Sequence, residues 1–74
     1  MELQEFIEKF AEAIEVEEIS NINSEVIFRN LEEWSSLSVM LLIAFYDEVF
    51  EKEIGSKDID ACVTIGDLYQ LAIA

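Results

Sequence analysis

Two adjacent serines, Ser35 and Ser36, and the single cysteine, Cys62, are the side chains best suited to form a covalent bond with a substrate or a transferred group. A hydroxyl or thiol does such chemistry unaided only when a neighbouring base takes its proton. Histidine, the usual base near neutral pH, is absent from the sequence. Its absence also removes the commonest metal ligand and every Ser-His or Cys-His pair. Cys62 has only Lys57 as a nearby cation and sits among Ile59, Val63 and Ile65, which predicts a buried structural thiol rather than a nucleophile or acyl acceptor. As the only cysteine it can form neither an internal disulfide nor a zinc site, which fits a reducing compartment and makes the cytoplasm the expected location. Asp58 and Asp60 lack the spacing, central glycine and terminal glutamate of a calcium loop and read as the solvated face of a short helix. A metal site within the chain is therefore not expected, and the protein is not expected to be an enzyme.

The size and charge agree. A chain of 74 residues holds one domain, 1–74, too small for both a core and a deep catalytic cleft. Hydrophobic residues make up 53% of it, so it folds, while four basic against 17 acidic residues give a net charge of -13. That excess repels phosphate backbones and anionic lipid headgroups, and it steers basic protein surfaces toward the chain. Protein partners are expected, nucleic acid and membrane insertion are not. The N-terminal Met1 to Glu5 lacks the basic start of a signal peptide, and the apolar run Val39 to Tyr46 is too short to span a bilayer.

The elements that must position these residues are helical. Leu3, Phe6, Ile7, Phe10 and Ile14 recur at helical spacing opposite Glu5, Glu8, Lys9, Glu12 and Glu15, predicting an amphipathic helix over 2–15. From Val16 to Ser35 the periodicity fails and Ser20, Asn21, Asn23, Ser24 and Asn30 collect, which predicts a long connection pinned by Ile22, Ile27, Phe28 and Leu31. Within it Arg29 is expected to pair at the surface with Glu32 or Glu33, and Trp34 to anchor the loop in the core. Ser36 to Glu51 has no glycine or proline and reads as helix, with Ser35 or Ser36 as its cap. Gly55-Ser56 breaks the pattern, Lys57 to Ala61 holds a turn or two, and Thr64 with Asp67 caps a last helix that buries Ile65, Leu68, Leu71 and Ala72. The fold class is all-α: a small bundle of three main helices and one short one, with a long loop between the first two.

The central helix carries two apolar stripes. Val39, Leu42, Ile43, Tyr46, Val49 and Phe50 follow three- and four-residue steps and are assigned to the core. Leu37, Met40, Leu41 and Ala44 follow the same steps on another face, and two other full helices cannot cover the whole circumference. This second stripe either touches the long loop or forms an exposed surface on which a partner docks.

The stretch Phe28-Arg29-Asn30-Leu31-Glu32-Glu33-Trp34-Ser35-Ser36-Leu37, where the long loop enters the central helix, resembles the attachment site of acyl carrier proteins. The family pattern is Asp-Ser-Leu, often preceded by Trp, as Trp34 stands here. The resemblance covers essentially the whole chain, since Phe28, Phe50, Ile54 and Thr64-Ile65 keep the family's order and spacing around Ser36. It implies an acyl-carrier-like bundle, Ser36 as the attachment residue, and 4'-phosphopantetheine, taken from coenzyme A, as the covalent group whose thiol holds the cargo as a thioester. It also implies a phosphopantetheinyl transferase, and acyl- or aminoacyl-loading and condensing enzymes, as partners of a monomeric carrier. A serine at a helix start is open to a modifying enzyme, and a phosphodiester there meets unpaired amides and the positive end of the helix dipole. The plain alternative is that Ser36 only caps the helix.

The chain departs from the family at two places. Ser35 replaces the Asp that helps engage the transferase, and Ser38 and Leu41 stand where fatty-acid carriers place carboxylates that meet basic enzymes. Docking is therefore expected to rest on Leu37, Met40, Leu41 and Ala44, with Glu48 at the far end, which implies a specialised carrier. A module that keeps the fold, leaves Ser36 unmodified and docks through the same apolar surface is the alternative reading. An acidic mimic of nucleic acid explains the charge but not the motif.

Overall fold

The computed structural model describes residues 1–74, and it is all-α. Helix α1 spans Leu3–Ala13, α2 Ser36–Phe50, α3 Ser56–Asp60 and α4 Ile65–Ile73. The connection between α1 and α2 is irregular apart from one 3-10 turn at Phe28–Asn30. No helix is long and apolar enough to cross a membrane.

Each boundary has a local cause. Helix α1 stops although no glycine or proline is near: Glu15 takes a left-handed conformation (φ 62°), Glu15 N–H donates to the Glu12 carbonyl and Val16 N–H to that of Ala11, closing the last turn while Val16 turns inward. At the end of α2, Glu51 is left-handed as well (φ 52°) and Lys52 N–H donates to the Tyr46 carbonyl. A non-glycine residue in this region costs about 1 kcal/mol, and at both sites the cost is offset by carbonyls that would otherwise lack donors. Helix α3 begins where Gly55 N–H donates to the Asp58 carboxylate.

The core is aromatic and centres on Phe6, which is fully buried. Its ring lies 5.5–6.4 Å from those of Phe10, Phe45, Tyr46, Phe50 and Tyr69, so one side chain of α1 joins α2 and α4. Replacing such a ring by a methyl costs about 3–5 kcal/mol. Tyr46 is also fully buried, and its hydroxyl donates to the Leu68 carbonyl on α4. Burial pushes that phenol well above its usual range, with the nearby Cys62 thiol adding to the effect, so it stays a neutral donor. Cys62 is 6% exposed, and burial raises its thiol above the ordinary value, as the buried structural reading expects.

Four expectations are corrected. The core side of α2 is turned toward Ser38, Leu42, Phe45 and Tyr46: Phe45, assigned to neither stripe, is buried, and Val49, assigned to the core, is 39% exposed near the helix end. In α4, Leu71 is only half-buried. In the connection Phe28 and Ile22 are pins, but Ile27 is exposed because its backbone bridges Thr64 and turns the side chain outward. Arg29 does not pair with Glu32 or Glu33. Its guanidinium donates to the carbonyls of Cys62 (2.7 Å) and Ile59 (2.9 Å), lies over the Phe28 ring and stands 3.8 Å from Asp60. It reinforces the end of α3, where the Ile59 carbonyl also accepts from the Cys62 N–H, and ties the long connection to the turn before α4. Trp34, half-buried and edge-on to Phe28 at 4.9 Å, anchors the loop just before α2 as expected.

Candidate functional site at the start of the central helix

Ser35 is extended and precedes the first turn of α2, so it occupies the cap position. Its N–H donates to Ser38 Oγ at 3.0 Å, and the Ser38 N–H returns to the Ser35 carbonyl at 3.0 Å. Ser38 is 2% exposed. It therefore faces inward beneath the helix start rather than outward where a partner would meet it.

This arrangement leaves Ser36 without a structural task. It is the first residue of α2, it is exposed, and its hydroxyl hydrogen-bonds no other group of the protein. The two amides at the tip of the helix, Ser36 N–H and Leu37 N–H, likewise find no acceptor within the protein. Helices α1, α3 and α4 each carry an acidic side chain in the first turn, Glu5, Asp58 and Asp67, whereas α2, the longest, carries none. A free hydroxyl thus sits at an uncompensated positive helix end. No base is hydrogen-bonded to it, so it is not activated from within the chain.

Of the residues read as a docking surface, Leu37 is 57% exposed, Met40 66%, and Ala44 and Glu48 are also exposed. Ser36 and Met40 are four apart, as are Met40 and Ala44, and Ala44 and Glu48, so these side chains form one outward strip that begins at the hydroxyl. Leu41 is half-buried at the edge of that strip. There Leu41, Ala44, Phe45, Glu48 and Val49 meet Lys9, Glu12 and Ala13 of α1 around a solvent-open cleft of about 310 Å³. The contribution of α1 is invisible to a reading of α2 alone. Its one sequence signal is that Ala13 continues the spacing of Phe6 and Phe10 with a residue too small to fill the space.

Asp58 and Asp60 are exposed, as a solvated face requires. No protein-family model, curated protein or solved structure matches this chain, so the resemblance to acyl carrier proteins rests on the chain's own residues and their spacing.

Proposed function

We propose that the chain is a carrier of the acyl carrier type, bearing 4'-phosphopantetheine on Ser36 and presenting thioester-linked cargo to partner enzymes along α2. The observation that supports it most is the state of Ser36: an exposed hydroxyl, released from capping by Ser35 and Ser38, beside two unpaired amides and with no carboxylate in its first turn. A phosphodiester there would supply the anion that the other three helices obtain from a side chain.

The loading step is a substitution at phosphorus. Ser36 Oγ bonds to the phosphorus bearing the pantetheine arm of coenzyme A, the P–O bond to the adenosine bisphosphate breaks, and that group leaves with the electron pair. The hydroxyl proton passes to a base of the transferase, since none is bound to Ser36. The later chemistry likewise belongs to docked partners, whose active sites receive cargo at a local concentration set by the tether. The protein itself is then a substrate and shuttle rather than an enzyme.

The test is intact mass after incubation with coenzyme A and a broad-specificity phosphopantetheinyl transferase. The proposal expects a gain of one phosphopantetheine in the parent chain and in Ser35→Ala, and none in Ser36→Ala. A specific observation favours one rival: residue 35 is Ser, where the acyl carrier pattern that the chain resembles has the Asp that helps engage the transferase. Absence of any gain, even at high enzyme concentration and with Ser35→Asp, would replace the carrier by an unmodified module that docks partners through Leu37 and Met40.

A further inference from the structure

The cleft between α1 and α2 exists because small residues face it from both helices. Ala13 on α1 and Ala44 on α2 each offer only a methyl group where the pair would otherwise close. Its apolar lining is Ala13, Leu41, Ala44, Phe45 and Val49, and its charged lining is Glu12 and Glu48 with Lys9. From Leu41 to Val49 it runs along about two turns of α2, roughly 12 Å at 1.5 Å per residue. Two apolar side chains set three or four residues apart on another helix lie about 5–6 Å from each other, so such a pair fits within that length.

The charge selects among occupants. Two acidic residues against one basic residue line the cleft, within a chain of net charge -13. A second copy of the chain would bring the same charge to the same place, and an anionic membrane is repelled in the same way. A cationic helix meets the opposite condition: its apolar pair enters the cleft while flanking Arg or Lys side chains reach Glu12 and Glu48.

We infer that the α1–α2 cleft is a docking groove for a basic amphipathic helix of a partner protein, anchored by an apolar pair between Ala13 and Ala44 and held at its flanks by Glu12 and Glu48. This groove goes beyond the reading of Ser36, because it draws on α1 and serves a loaded carrier or an unmodified module equally. In a carrier it would hold the partner at the far end of α2 while the start of the helix, with its arm, stays free.

The probe is a synthetic amphipathic helix of about four turns, with leucines on one face and Arg or Lys on the other, compared with a peptide of the same composition scrambled to lose the face. Each is titrated into the full isotope-labelled chain and followed by amide chemical shifts. The amphipathic peptide is expected to shift the amides of Lys9 to Ala13 and Leu41 to Val49 above those elsewhere, and to bind about tenfold or more tightly than the scrambled one. Ala44→Phe, at an exposed position where the fold can accept a larger side chain, fills the cleft and is expected to weaken binding about tenfold, as is the pair Glu12→Lys with Glu48→Lys. Retention of the dispersed amide spectrum by each variant separates lost docking from lost folding. Equal binding of the two peptides, unchanged affinity in Ala44→Phe, or a dimer of the parent chain that Ala44→Phe dissociates would each overturn the groove. Ser36→Ala should bind the peptide normally, so failure of the carrier reading in the mass test and failure of the groove are separate results.

Discussion

The starts of α2 and α4 are built to opposite ends. At α4 every early amide is used: Ile65 N–H donates to the Val26 carbonyl, Gly66 N–H to that of Ser24, and Asp67 N–H to Thr64 Oγ1. The Asp67 carboxylate in turn accepts from the N–H groups of Val63 (2.9 Å) and Thr64 (3.1 Å). At α2 a buried neutral hydroxyl does the capping, and the first two amides, the Ser36 hydroxyl and the positive helix end all face outward. A helix end saturated by the protein is a structural joint; the start of α2 leaves its first two amides and a free hydroxyl to solvent. The difference is not length or exposure but where the donors go.

Closing or opening either end tests this contrast, and the largest effect belongs at α4. A methyl group at Gly66 would lie 3.0 Å from the Ser24 carbonyl oxygen and 3.3 Å from Ser24 Cβ. That oxygen is backbone, held by the Gly66 N–H itself and flanked by the Ile65–Val26 bond, so it cannot step aside without breaking the joint. Gly66→Ala should therefore destabilise by about 1–2 kcal/mol despite the better helix propensity of alanine, measured by urea unfolding. A neutral or stabilising result would mean that the loop is not bound tightly to α4.

The next effect separates the serines. Ser38→Ala removes the acceptor for Ser35 N–H and should cost about 1 kcal/mol. Ser36→Ala should stay within about 0.5 kcal/mol of the parent while losing all modification. If the two costs were reversed, Ser36 would be the structural serine and the attachment reading would lose its main support.

Much of this was legible in the residues. Helical periodicity locates α1, the absence of glycine and proline marks α2, the Gly55-Ser56 break leaves room only for the short α3, and Thr64 with Asp67 marks the cap of α4. The core face of α2 was harder, because α2 is apolar nearly all round: side chains such as Val49 and Phe45 exchange roles according to where α1 lies, and a single helix does not record the position of its neighbour. The partners of Arg29 escape the sequence for a similar reason. They are the carbonyls of Ile59 and Cys62, about thirty residues away, and backbone acceptors leave no mark in a sequence. The cleft needs two alanines on different helices, which no spacing rule connects.

Acid should also distinguish the two ends. The N–H donors of Val63 and Thr64 hold the Asp67 carboxyl below its ordinary value of 3.8. Because the folded pKa is the lower one, the stabilisation is present in full above 3.8 and is lost as pH falls through the folded value. Asp67→Asn should therefore lower stability at neutral pH and flatten its fall below about pH 4. Chemical unfolding at several pH values checks the slope; a variant as steep as the parent would place the acid sensitivity elsewhere. No titrating group exists in the first turn of α2 to give that end a similar dependence.

The smallest change in stability attaches to the substitution that makes the α2 start resemble that of α4. Ser35→Asp puts a carboxylate at the cap position of a helix whose first turn has no acidic residue. Asp and Ser cap about equally well, so the gain comes from charge against the helix dipole and should be about 0.5 kcal/mol, reduced by salt and by the net charge of -13 already present. On the proposed carrier reading its functional effect should be larger, because the Asp of the acyl carrier pattern at this position helps engage the transferase. Faster loading of Ser36 in Ser35→Asp, with stability nearly unchanged, would assign the departure at Ser35 to transferase choice. Slower loading would have a different physical origin: a carboxylate that turns to the Ser36 and Leu37 amides would compete with the incoming phosphate, and the open helix end itself would then be what the modifying enzyme requires.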